Sequence, residues 1–60
     1  MGKILVIDDE ELVRLTVRQT LELAGHTVLE ASDGRAGIGM ADKHKPDLVI
    51  TDIIMRSEEH

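Results

Sequence analysis

Two short apolar runs along this chain end on carboxylates. Ile4-Leu5-Val6-Ile7 leads into Asp8-Asp9-Glu10, and Leu48-Val49-Ile50-Thr51 leads into Asp52. Each run is apolar at consecutive positions and rich in β-branched residues. That is the pattern of a strand buried on both faces of a parallel sheet, not of a half-exposed one. A carboxylate following such a strand stands at its C-terminal end, where open α/β sheets bind ligands. If the two strands are neighbours, three carboxylates converge there. Like charges held together call for a cation, so the pattern points to metal-assisted chemistry.

Between the runs the period changes. Val13, Val17, Leu21 and Ala24 recur at three- and four-residue spacing, and Leu12, Leu15 and Leu23 widen the stripe, which predicts a helix from Glu10 to about Ala24. Asp8 or Asp9 would cap it, and Glu10 and Glu11 fall in its first turn, where the helix dipole favours acids. Arg14 and Arg18 are expected to face solvent, with Arg18 paired to Glu22 one turn on. Gly25 suits the left-handed residue that closes a helix.

Residues 27–31 predict a second strand, placed at a sheet edge by its looser alternation and by Glu30. Ser32-Asp33-Gly34 reads as a turn into a second helix, from Arg35 to about His44, with Ala36, Ile38, Met40 and Ala41 as its apolar members. Gly37 and Gly39 inside it cost roughly 1 kcal/mol each relative to Ala, so it is the weakest element unless close packing uses them. Lys43, His44 and Lys45 complement the dipole at its end, and Pro46 stops continuation. Met40 and Met55 read as packing residues. The order is βαβαβ, and such crossovers are right-handed and give parallel strands.

Size and composition sharpen this. The chain has sixty residues and no Phe, Tyr, Trp or Cys. A chain of this size buries only about 60% of the surface exposed on unfolding, so stability is expected to need a metal, a partner or self-association. The net charge of −5 argues against nucleic-acid binding, which requires a basic surface. No apolar stretch approaches the ~20 residues of a membrane span, the N-terminus lacks a secretory pattern, and Val6 stands where a myristoylation signal needs Ser or Thr. A soluble cytoplasmic protein is the expectation. His26, His44 and His60 share no metal-ligand spacing and are expected at the surface. Gly34, Gly37 and Gly39 lack the spacing of a dinucleotide fingerprint. Residues 4–10 also look like a Walker B strand, but no phosphate-binding G-x-x-x-x-G-K-[ST] loop accompanies them.

Taken together, the stretch from Ile4 to Glu10, then Gly25-His26-Thr27-Val28, Ala31-Ser32-Asp33-Gly34, and Pro46-Asp47 with the run through Met55 resemble the first half of a receiver domain. These are the phosphoacceptor domains of bacterial two-component response regulators. The resemblance implies a flavodoxin-like α/β fold, here a three-stranded parallel half with strand order 2-1-3, and the small size of the chain suggests that it is completed by self-association. It makes strands 1 and 3 neighbours, as the carboxylates require. It also implies that Asp52 is the phosphoacceptor and that Asp9 and Asp52 ligate Mg²⁺ directly. Asp8 would act through water, and the backbone carbonyl of Ile54 would complete the protein ligands. The implied partner is a sensor histidine kinase.

The pattern departs from the family at Arg56, where Pro is usual. No residue matches the fourth-strand Ser or Thr or the fifth-strand Lys that contact the phosphoryl group. Residues 1–55 are therefore read as a truncated receiver domain and residues 56–60 as a polar remnant. The alternative is an engineered or truncated half-domain that only assembles with itself, keeping the acids as relics. In either case the third strand is expected to be an apolar edge that pairs with its copy in a homodimer.

Overall fold

The structure is a computed structural model and describes residues 2–51. Its elements run β1 (Lys3–Ile7), α1 (Glu11–Leu23), β2 (Thr27–Ala31), α2 (Gly34–His44) and β3 (Leu48–Thr51). The strands form one sheet in the order β2-β1-β3, with both pairings parallel. β1 runs in register from Lys3 opposite Thr27 to Ile7 opposite Ala31, and on its other side from Ile4 opposite Leu48 to Ile7 opposite Thr51. The strand order and the adjacency of strands 1 and 3 are as expected.

Side chains alternate across the sheet. Leu5 and Ile7 form a buried core with Ala31, and Leu29, Met40 and Ala41 pack against it, so this face is covered by α2. Ile4 and Val6 lie on the opposite face and are also buried. Val6 stands opposite Glu30 in the register, and α1 reaches Glu30 by ion pairs, so α1 covers that face.

Local chemistry sets the helix ends. Gly25 adopts φ +95°, its N–H donates to the Glu22 carbonyl, and the His26 N–H donates back to Leu21. This double closure is the Schellman arrangement, which a glycine permits at no steric cost. α2 begins on Asp33, whose carboxylate accepts from the Ala36 N–H at 2.8 Å. It ends on Lys45 in the left-handed conformation, one residue before Pro46. Lys3 Nζ donates to the His44 carbonyl, placing a cation on the negative end of the helix dipole.

β3 carries the same apolar pattern as β1 but is exposed along its length, Leu48 to 53% and Ile50 to 36%, as expected of an apolar edge and unlike the fully buried strand its pattern alone suggests. Burial requires a neighbour on each side, and among the described residues only β1 has two. Two further expectations are corrected. α1 contains no buried residue, and Leu23 is 90% exposed, so its apolar stripe is wider than the face that the sheet covers. His26 and His44 are half-buried instead of lying free at the surface, and His26 Nδ1 accepts from the Gly2 N–H. Among the described residues no helix is long and apolar enough to cross a membrane.

Candidate functional site

The parallel register of β1 and β3 brings the C-terminal ends of both strands to the same edge of the sheet. Asp8 follows β1 there. It is 4% exposed, and its N–H still bonds to the Ala31 carbonyl of β2 at 3.1 Å, so the backbone is held to the sheet one residue beyond the strand. Its Oδ1 accepts from the Glu10 N–H at 2.8 Å. This is an Asx-type turn, and it reverses the chain into α1. Asp9 is exposed at the tip of the turn.

The cap differs from expectation. The N-cap of α1 is Glu10, with no side-chain cap bond, rather than Asp8 or Asp9. The Asp8 carboxylate bonds just outside the helix instead of within its first turn. Neither acid forms an ion pair with a described residue.

Asp52 and Ile54, the other residues expected at the site, lie outside the described residues, as do Met55, Arg56 and His60. Among the described residues no group of three potential ligands gathers to hold a metal. The two acids that are described suit a hard divalent cation. They offer oxygen donors, one oxygen of Asp8 takes no hydrogen bond from the described residues, and no described cation neutralises either group.

Arg14 and Arg18 were expected to face solvent, but both turn to the sheet. Arg14 Nε donates to Glu30 Oε1 at 2.9 Å, and Arg18 Nη1 donates to Glu30 Oε2. Glu30 lies on the α1 face of β2, where a lone carboxylate would be costly to cover. Two guanidiniums one helical turn apart remove that cost. The expected Arg18–Glu22 pair is also present, at a looser 3.8 Å. Arg14 makes a further bond, from Nη1 to the Asp8 carbonyl oxygen at 2.8 Å.

Burial pulls the Glu30 carboxyl upward in pKa, but the hydrogen bonds and charges of Arg14 and Arg18 outweigh it and hold the group below its ordinary value. A lowered folded pKa makes the cluster fully stabilising above the unfolded glutamate's value. That contribution is lost as pH falls through the lower folded value. Urea unfolding across this acid window is therefore expected to show a steeper loss of stability for the natural chain than for Glu30→Gln. Identical pH profiles would refute the linkage.

The family described as response regulator receiver domain matches residues 4–59. The chain belongs to this family. The chain is 42% identical over 53 residues to the alkaline phosphatase synthesis transcriptional regulatory protein PhoP of Bacillus subtilis, covering 88% of this chain and 22% of that protein. It is 40% identical over 55 residues to protein PilH of Pseudomonas aeruginosa, covering 92% of this chain and 46% of that one. The chemotaxis protein CheY4 of Vibrio cholerae superimposes with a TM-score of 0.85 at 38% identity, over 95% of this chain and 48% of that structure. The chain thus spans about half the length of the solved receiver domains and between about a fifth and a half of these curated relatives. Receiver domains are generally Mg²⁺-dependent in phosphorylation, and the family interacts with histidine kinases.

Proposed function

We propose that this receiver chain accepts a phosphoryl group on Asp52 from a sensor histidine kinase, with Mg²⁺ held by Asp8, Asp9, Asp52 and the Ile54 carbonyl, in the cytoplasm. The observation that carries the reading is the parallel pairing of β1 with β3, whose described register ends on Ile7 opposite Thr51. The next residues in sequence are Asp8 and Asp52. Asp8 is buried and anchored at that edge, which supports a fixed role at the sheet end and not a solvated loop acid. Bound Mg²⁺ would neutralise the approach of a carboxylate to a phosphoryl group. The test is labelling by a small phosphodonor in the presence of Mg²⁺, with the modified residue located by peptide mapping.

A second reading, a half-domain acting through self-assembly, is favoured by the exposure of β3. Leu48, Val49 and Ile50 are exposed at a sheet edge among the described residues, and no charged residue interrupts the strand. An uncharged apolar edge is self-complementary: two copies related by a twofold axis can pair β3 with β3 and continue the sheet. Sedimentation at micromolar concentration is expected to give a dimer, and Ile50→Lys is expected to shift it to monomer. A folded monomer of the natural chain would rule this association out.

A further inference from the structure

The Arg14 guanidinium joins three elements through one rigid plane. It projects from α1, donates from Nε to Glu30 on β2, and donates from Nη1 to the carbonyl of Asp8 in the turn after β1. Its side chain is only 16% exposed. The Asp8 carbonyl belongs to the peptide plane that also contains the Asp9 N–H and Cα. Fixing that oxygen therefore fixes the plane from which both acidic side chains depart. No other described side chain hydrogen-bonds to the Asp8 carbonyl.

We propose that Arg14 is a positioning residue for the acidic turn: by tying the Asp8–Asp9 peptide to β2 through Glu30, it sets the direction in which Asp8 and Asp9 present their carboxylates to Mg²⁺. The inference rests on the receiver reading of these acids. It requires arginine in particular, because a planar fork can serve two acceptors at fixed angles and the single ammonium of lysine cannot. Charge alone predicts the opposite effect. A guanidinium near two carboxylates repels an incoming cation, so its removal would tighten Mg²⁺ binding. Positioning predicts that its removal weakens binding. The sign separates the two.

The experiment is a Mg²⁺ titration of the 60-residue chain followed by amide chemical shifts, with hydrogen exchange of the Glu10 N–H measured in the metal-free protein. Arg14→Gln and Arg14→Lys are both expected to raise the Mg²⁺ dissociation constant about tenfold, the scale of lost outer-shell support. Both are also expected to speed exchange of the Glu10 N–H, the donor to Asp8. Arg18→Gln removes the other guanidinium from Glu30 without touching Asp8, so it is expected to lower stability and leave both readouts unchanged. Glu30→Gln keeps the guanidinium but weakens its anchor, and should move both readouts in the direction of the Arg14 variants. Natural affinity in Arg14→Lys, tighter binding in Arg14→Gln, or equal effects of Arg18→Gln would overturn the proposal. If the natural chain shows no Mg²⁺ response, the reading of the acids as a metal site fails. The Glu10 exchange rate then decides the role of Arg14 by itself: faster in Arg14→Gln supports it, unchanged rejects it.

Discussion

Acetyl phosphate with Mg²⁺ is expected to add one phosphoryl group to this chain at Asp52, and Asp52→Asn is expected to abolish the label. In that step a carboxylate oxygen of Asp52 forms the new bond to phosphorus, the bond from phosphorus to the acetyl oxygen breaks, and acetate leaves with the electron pair. Both reactants are anionic, so the barrier is largely electrostatic. A divalent ion held by the acids Asp8, Asp9 and Asp52 would offset that repulsion, an effect worth several kcal/mol. Chelation of Mg²⁺ should therefore slow labelling by about a hundredfold or more. Asp9→Asn removes an expected direct ligand and should approach that loss. Asp8→Asn should cost less, because the amide keeps an oxygen for the Glu10 N–H that the Asp8 carboxylate now accepts. Label that persists in Asp52→Asn would remove Asp52 from the role, and a rate indifferent to Mg²⁺ would remove the metal. A chain that stays unlabelled but dimeric would leave the self-assembly reading as the stronger one.

Asp8 was legible because the run that precedes it, Ile4 to Ile7, is unbroken by polar residues. An uninterrupted apolar run followed at once by acid places the acid at a strand end whatever the rest of the fold does. β1 fulfils the whole expectation, since it has a strand on each side and a helix on each face. β3 fulfils only part of it. Its run says that it is suited to burial, but what buries a strand is its neighbours, and a pattern within four residues does not report them. The same limit applies to α1. Its apolar positions are more numerous than one sheet face can cover, so the stripe is legible and the share of it that is buried is not.

The pairing of Arg14 and Arg18 with Glu30 is less legible for a different reason. Charged residues four apart on an amphipathic helix, such as Arg14 and Arg18, ordinarily belong to its solvated side. The signal against that default is Glu30. An acid inside an otherwise apolar edge strand, on the face that a helix must cover, requires a cation from that helix. Only two basic residues of α1 are available to supply it. The same kind of competition decides the cap. The nearness of Asp8 to the helix start suggests a capping role, but a carboxylate two residues before Glu10 closes an Asx turn first.

Substitution of the two helical glycines is expected to split in sign. Gly39 faces open space, with nothing within 4 Å of an added Cβ, so Gly39→Ala should gain the helix-propensity difference of about 1 kcal/mol. Gly37 is buried against β1, and an added Cβ would stand 2.3 Å from Ile7 Cδ1 and 2.9 Å from Cγ1. The outer methyl could swing aside, but Cγ1 is fixed by a stiff β-branched χ1 and by core packing, so β1 and α2 must separate. Overpacking of this kind costs about 1–3 kcal/mol, which cancels or exceeds the propensity gain. The two alanine variants should therefore differ by about 1–3 kcal/mol, and at about 4–8 °C per kcal/mol for a domain this small the gap in melting temperature is large. Ile7→Val removes Cδ1 and should partly rescue Gly37→Ala, so that the double variant is less destabilised than the sum of the singles. Equal gains from both glycine substitutions would mean that α2 does not sit this close to the sheet. The consequence reaches the site, because Ile7 is the residue before Asp8. A strand displaced at Ile7 carries the first acid with it, so Gly37→Ala should also weaken the Mg²⁺ response while Gly39→Ala leaves it intact.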